Sequence, residues 1–256
     1  MSIFKEILRP FIPFGILERH RRKFQMTSLG LKGTREYEKA ALACRYELWP
    51  LELRHPVKPW TLVDVGANTG EFSAAVATLV QLESVHAFEP QPSCHVQLSK
   101  ILQSIPNSRL HPAAVGANTG EIELFCTANS KLSSVLSPAH SVSNSYKKND
   151  FLLKRNMMVP LVRLDDVIPR GTEIGLMKID VQGFELSVLA GAERSLRSTS
   201  ALLMEVNYVK HYEDGAVFDD LYNAVRSHGF HLAGISSPYS GHLGPLWADA
   251  MFIKEV

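Results

Sequence analysis

Cysteine is scarce in this sequence. Cys44, Cys94 and Cys126 are the three present in 256 residues, far apart, with no C-x-x-C spacing and no adjoining histidine cluster. Such a pattern excludes a disulfide framework and offers no zinc site, so no metal is expected and a reducing, cytoplasmic setting is. Long apolar runs are missing too. No stretch approaches the ~20 apolar residues of a membrane-spanning helix, and the N-terminus is apolar first and basic afterwards, the reverse of a secretion signal. Charge of one sign is not in excess: 27 Lys+Arg stand against 26 Asp+Glu, so nothing points to nucleic acid as a partner. The G-x-G-x-x-G fingerprint of dinucleotide-binding folds is also absent, because Asn68 and Glu71 occupy the second and third glycine positions counted from Gly66. A pyrophosphate ligand is thereby disfavoured.

What is present is a strand, a glycine turn and a helix in immediate succession. Leu62–Val65 is a short apolar run, Gly66–Gly70 reads GANTG, and Phe72, Ala75, Val76, Leu79 and Val80 recur at helical spacing. A turn of this kind presents backbone N–H groups and the positive end of a helix dipole to a ligand. A second strand, Val85–Phe88, ends in Glu89-Pro90. A carboxylate at that tip can accept both hydroxyls of a ribose, as the acidic residue of nucleotide-binding βαβ units does. The expected ligand therefore carries a ribose and no pyrophosphate.

Further along, Pro92–Ser104 has helical spacing, Arg109–Val115 reads as a third strand, and the hexapeptide GANTGE recurs at Gly116–Glu121. The second copy has Ala114 where the first has Asp64, and alternation over Glu121–Phe125 follows it, so a turn into a strand is expected there and not a second ligand loop. Residues 128–149, rich in Ser, Asn and Lys, read as a long surface loop. Then come a strand at Val159–Val162, a strand at Ile174–Ile179 ending in Asp180, a helix over Leu186–Leu196, a strand at Ala201–Val206, a helix over Val217–His228, and two strands, His231–Ile235 and Trp247–Lys254, that should pair antiparallel. The alternation specifies an α/β fold, a mostly parallel Rossmann-like sheet with a C-terminal antiparallel hairpin.

Taken in order, VDVGANTGEFS, HAFEP, LDDVI (164–168), MKIDVQGFELSVLAGA (177–192) and LLMEVN (202–207) resemble the FkbM family of S-adenosylmethionine-dependent methyltransferases over roughly residues 60–254. The resemblance implies a class I methyltransferase fold and S-adenosyl-L-methionine as methyl donor. It also implies a hydroxyl acceptor on a sugar, glycan or polyketide-like small molecule, and a serine-rich segment near the active site, matched by Ser133 and Ser134. The expected donor site comprises Asp64, Gly66, Ala67, Asn68, Gly70, Glu89, Pro90 and Ala114. Oxygen methylation requires removal of the acceptor proton, and Asp180, Glu205 and His211, at or just after strand tips, are the candidates, with His211 set in a polar loop. Asp180 has a second reading, as the partner of the donor's charged amine. Glu185 belongs to the same motif. Two other classes stay open: a non-catalytic module that binds the donor, and a nucleic-acid methyltransferase. The second is disfavoured because Asn207-Tyr208-Val209-Lys210 lacks the Pro-Pro-aromatic pocket used for a flipped base.

Residues 1–59 lie outside the resemblance and are expected to form a helical arm, with residues 60–256 as the methyltransferase domain. The arm holds 12 Lys+Arg against 6 Asp+Glu over residues 1–60, leaving 15 against 20 for the rest. Helical spacing covers Gly33–Leu53, and the His55-Pro56 and Lys58-Pro59 pairs read as a linker, so a chain beginning near Val57 is expected to keep its fold. The N-terminal segment is expected to pack on its own domain or on a partner subunit as a homodimer contact, and its basic cluster Arg19–Lys23 alternatively suits peripheral contact with the inner membrane face.

Overall fold

The computed structural model describes Gly30 and residues 34–44, 60–139, 152–241 and 244–254. The arm before residue 30, including Arg19–Lys23, and the proline linker lie outside the described residues. Helix α1 (Arg35–Ala43) starts at Thr34, whose side chain accepts from the Tyr37 N–H. Strand β1 (Trp60–Val65) leads through the glycine loop into α2 (Glu71–Leu79), followed by β2 (Leu82–Phe88), α3 (Pro92–Leu102) and β3 (Arg109–His111). After these come β4 (Ala114–Val115), β5 (Gly120–Thr127), β6 (Leu153–Val162), α4 (Leu164–Val167), β7 (Ile174–Ile179), α5 (Glu185–Ala190), α6 (Glu193–Arg197), β8 (Thr199–Asn207), α7 (Phe218–Ser227), β9 (Phe230–Ile235), β10 (Tyr239–Gly241) and β11 (Gly244–Lys254).

The main sheet runs β10-β11-β8-β7-β1-β2-β3, with β9 also on β11. Strands β3, β2, β1, β7 and β8 are parallel, and β11 is antiparallel to β8, β9 and β10. This is the expected class I methyltransferase arrangement with its closing hairpin. Because side chains alternate across a strand, each central strand feeds two cores. Leu62, Leu176, Leu203 and Met251 pack under α1, α2 and α3. Val63, Met177, Leu202 and Phe252 pack under α5, α6 and α7. Both faces are covered, which is why these strands read as apolar runs and not as alternating ones.

Four expectations change in detail. The third strand is not continuous: β3 pairs with β2, whereas Ala114–Val115 joins a separate sheet, β4-β6-β5. Pro112, which has no N–H to give a ladder, stands at the break. The helix expected over Leu186–Leu196 is two helices meeting at Gly191, where a Cβ would stand 2.0 Å from the Gly116 carbonyl oxygen. That backbone-to-backbone approach needs a residue without a side chain. Strand β6 begins at Leu153, six residues before the sequence signal, because Leu153–Asn156 are all exposed and carry no alternation of burial. Finally, residues 128–139 are not a plain surface loop. They form a turn at Ser130–Leu132 and bring Ser134 into the interior, 2% exposed; residues 140–151 lie outside the described residues. The second GANTGE enters β5 without a helix, as its flanks imply.

Candidate functional site

In an open α/β sheet, ligands bind beyond the carboxyl ends of the strands, where the strand order reverses. Here that point lies between β1 and β7, and a cleft of about 860 Å³, counting the part open to solvent, occupies it. Its floor is the Val65–Thr69 loop. Gly66 has φ +80°, and a Cβ there would stand 2.0 Å from the Asp180 carbonyl oxygen, so the loop is seated on the end of β7 with no room for a side chain. Asn68 also takes a left-handed conformation, φ 47°, which asparagine tolerates better than most residues.

Glu89 is 5% exposed and lines the cleft. One carboxylate oxygen accepts the Asn68 N–H at 2.8 Å and the other the Gln91 N–H at 2.7 Å. Its orientation is thus fixed by two backbone donors, while each oxygen keeps a further lone pair. Burial pushes its pKa up, and the two N–H donors oppose that. Phe88, Ala113, Ala114, Val115 and Leu124 give the cleft an apolar wall.

The polar wall follows from strand parity. Asp64 stands opposite Lys178 in the β1/β7 register, and Glu205 opposite Asp249 in the β8/β11 register. Leu62, Leu176, Leu203 and Met251 lie two residues away from them in their strands, so all four charged side chains point to the face that α1 and α2 cover. Asp180 continues the parity of Lys178. Lys178 Nζ donates to the Gly66 carbonyl at 2.7 Å and lies 3.2 Å from Asp64 Oδ1, while Ser73 Oγ donates to Asp64 Oδ2 at 2.6 Å. From α1, Lys39 Nζ donates to Asp180 Oδ2 at 2.6 Å and lies 3.2 Å from Asp249, and Arg35 pairs with Glu205 and, at 3.4 Å, with Asp249. Gln182 Nε2 donates to Asp180 Oδ1 at 2.7 Å and to Glu205 at 3.0 Å, and its own oxygen accepts from Tyr212 OH at 3.0 Å.

These surroundings set the titration. Burial would raise the Asp180 pKa, but Lys39, Lys178 and Arg35 outweigh it and hold the carboxyl far below the usual range. Burial raises the Glu205 pKa, with the Asp180 charge adding and Arg35 opposing. Burial likewise pushes Glu185 up to about 8, although the Val181 and Gly183 N–H groups donate to its Oε1. His211 is 4% exposed, and burial alone lowers its pKa to about 4.

Of the residues singled out from sequence, Gly66, Ala67, Asn68, Glu89, Pro90, Ala114 and Asp180 line the cleft, as do Ser133 and Ser134. Asp64 does not. It is fully buried beneath the loop, hydrogen-bonded to Ser73 and ion-paired with Lys178, and Gly70 turns into α2 behind the wall. Neither Glu205 nor His211 is on the cleft wall. Glu205 is engaged by Arg35 and Gln182, and His211 is an interior residue, not one of a polar surface loop.

Sequence reading missed Arg35, Lys39, Lys178 and Gln182. A signal existed for three of them. Lys178 is a cation inside an apolar strand, and Glu36, Lys39, Ala40 and Ala43 form the buried stripe of α1, so a charge sat where an apolar residue would be expected. Arg35 adjoins that stripe. Residues 35–43, assigned from sequence to a separable arm, are therefore packed into the domain. Among the described residues, no group of His, Cys, Asp and Glu is placed to hold a metal ion, and no helix is long and apolar enough to cross a membrane.

Comparison with known proteins assigns a family. Residues 64–232 match the family model described as the methyltransferase FkbM domain. The 31-O-demethyl-FK506 methyltransferase FkbM of Streptomyces tacrolimicus is 29% identical over 210 residues, covering 73% of this chain and 79% of that protein. Among solved structures, a methyltransferase FkbM from Methylobacillus flagellatus KT is 18% identical with a TM-score of 0.48; the match covers 80% of this chain, which spans about half (47%) of that one. A putative tRNA (m1A22) methyltransferase from Streptococcus pneumoniae, solved with S-adenosyl-L-methionine, is 13% identical with a TM-score of 0.45, over 85% of this chain and 72% of that chain.

Proposed function

The chain belongs to the FkbM methyltransferase family, and from that premise we propose that it transfers the methyl group of S-adenosyl-L-methionine to a hydroxyl of a sugar, glycan or polyketide-like small molecule. The observation that carries this is Glu89, a buried carboxylate locked by the Asn68 and Gln91 N–H groups with lone pairs left toward the cleft. That arrangement suits a ribose diol. The residues present fit the rest of such a donor. The apolar wall of Ala114, Val115 and Leu124 suits a purine, and Asp180, ionised on the opposite wall, suits an ammonium group. When bound, the sulfonium donor supplies an electrophilic methyl group open to in-line displacement.

The chain's own contribution is alignment and charge. Asp180, held ionised by Lys39 and Lys178, is a weak proton acceptor and a strong hydrogen-bond acceptor, so its part is to orient a cation or a hydroxyl, not to keep a proton. The name of the Streptomyces relative supports oxygen as the methylated atom.

Two measurements test the proposal. Titration calorimetry should show S-adenosylmethionine binding to the wild-type chain, and a panel of hydroxylated sugars and macrolides incubated with methyl-labelled donor should yield labelled product and S-adenosylhomocysteine. Absence of donor binding refutes the reading. Binding without turnover on any acceptor favours a non-catalytic module.

A further inference from the structure

Helix α1 precedes the family-matched segment, which begins at residue 64, yet it delivers two cations to the cleft's charged wall. Lys39 is 2% exposed. Its ammonium lies among the carboxylates of Asp180 and Asp249, with Glu36 on its own helix. Of these, Asp180 and Glu36 line the cleft and Asp249 does not. Around Asp180 the charged and titratable groups are Arg35, Glu36 and Lys39 from α1, Lys178 from β7, Glu185 from α5 and Glu205 from β8, with Asp249 behind them on β11. Lys178 stands 3.9 Å away and is already shared with Asp64 and the Gly66 carbonyl. Arg35 is engaged by Glu205. Among the described residues, the one cation within hydrogen-bond distance of Asp180 is Lys39, and its bond to Oδ2, with Gln182 on Oδ1, fixes the rotation of the carboxylate.

We propose that Lys39 is a positioning residue of the donor site, which fixes the Asp180 carboxylate in the orientation that receives the donor's ammonium group. The inference rests on S-adenosylmethionine being the donor. It makes docking of α1, a helix outside the family match, a condition for a competent site.

The test uses the full chain and S-adenosylmethionine itself as probe, with calorimetric affinity measured at pH 5, 6 and 7. The α-ammonium, with a pKa of about 7.7–8.0, stays charged across that window. Glu89 and other groups contribute equally to wild type and variant, so the readout is the ratio of their affinities at each pH. In Lys39→Met, Asp180 loses its hydrogen-bonded cation and its pKa should rise, with Lys178 and Arg35 still opposing its burial. The variant-to-wild-type affinity ratio should then fall, by up to about tenfold, between pH 7 and pH 5. A merely structural lysine would lower the melting temperature and leave that ratio constant, which would overturn the inference. A wild-type chain that binds no S-adenosylmethionine would overturn the donor reading and this inference together. Should Lys39→Met fail to fold, Lys39→Gln takes its place in the same measurement: a variant-to-wild-type ratio that falls with pH supports the inference, and one that stays constant overturns it.

Discussion

Replacing Lys178 by Met should destabilise the fold by an amount the structure allows to be worked out. Lys178 is 3% exposed and ties two groups, the Asp64 carboxylate at 3.2 Å and the Gly66 carbonyl at 2.7 Å. A methionine fills nearly the same volume, so little cavity is made. What remains is Asp64, 0% exposed, with Ser73 Oγ as its hydrogen-bond donor. Removing one partner of a buried ion pair typically costs about 3–5 kcal/mol, mostly for the charge left behind. A chain of this size shifts by roughly 2–4 °C per kcal/mol, so scanning calorimetry should find Lys178→Met melting about 10 °C below wild type. The origin of the loss is separable. If the stranded Asp64 charge causes it, Asp64→Asn in the Lys178→Met background should raise the melting temperature again, although Asp64→Asn alone lowers it. A single variant within 2 °C of wild type, or a double variant no more stable than the single, would refute the reasoning.

Glu89→Ala removes a charge-assisted acceptor and should weaken S-adenosylmethionine binding by about 1.5–3 kcal/mol, roughly ten- to 150-fold by calorimetry, whereas Glu121→Ala in the second hexapeptide should not. Glu185, with a folded pKa raised to about 8, holds a proton that the unfolded chain releases above its own pKa of about 4.3. Its contribution to stability is therefore fully present below pH ~4 and is lost as pH rises toward 8, by about 1.4 kcal/mol per unit; a Glu185→Gln chain whose pH–melting curve parallels the wild type's would contradict this. Deleting residues 1–29 should leave donor affinity unchanged, while deletion through residue 44 should abolish it by removing Arg35 and Lys39; both are measured by calorimetry after gel filtration, and a shorter chain that still binds would return α1 to the status of a dispensable arm. If residues 1–29 dock on membranes, vesicle sedimentation of the full chain should weaken with salt and vanish on that deletion.

How much of this was legible beforehand depended on distance along the chain. The Gly66–Gly70 turn, the change of period at Phe72 and the carboxylate at Glu89 are local signals, and the parallel sheet follows from their repetition. Pro112 could have announced the break between β3 and β4, but a strand run interrupted by one residue is easily read through. The first half of β6 was invisible because exposed residues on both its faces leave no period. The charged wall was hidden for another reason. Lys39 and Asp180 are 141 residues apart, and no pattern within α1 says which carboxylate its lysine will meet. Only the sheet register, by setting Asp64 against Lys178 and Glu205 against Asp249, brings those separately odd residues onto one face. His211 failed for the opposite reason: polar neighbours in sequence suggested a surface, while folding buried it.

The two copies of GANTGE carry the same spelling under different grammars. In the first, Gly66 faces the carbonyl oxygen of Asp180, an unyielding backbone atom, and its backbone is left-handed; no other residue can be written there without moving the end of β7. In the second, Gly116 faces side-chain atoms of Phe184, Leu161 and Ser187 at 2.9–3.0 Å, which have more freedom than a backbone carbonyl, and the constraint that cannot yield belongs to Gly191. A saturation library should thus find position 66 mute to every substitution and position 116 accepting alanine. Identical letters in one chain would then diverge in use, because what preserves a residue is the hardness of the atom opposite it.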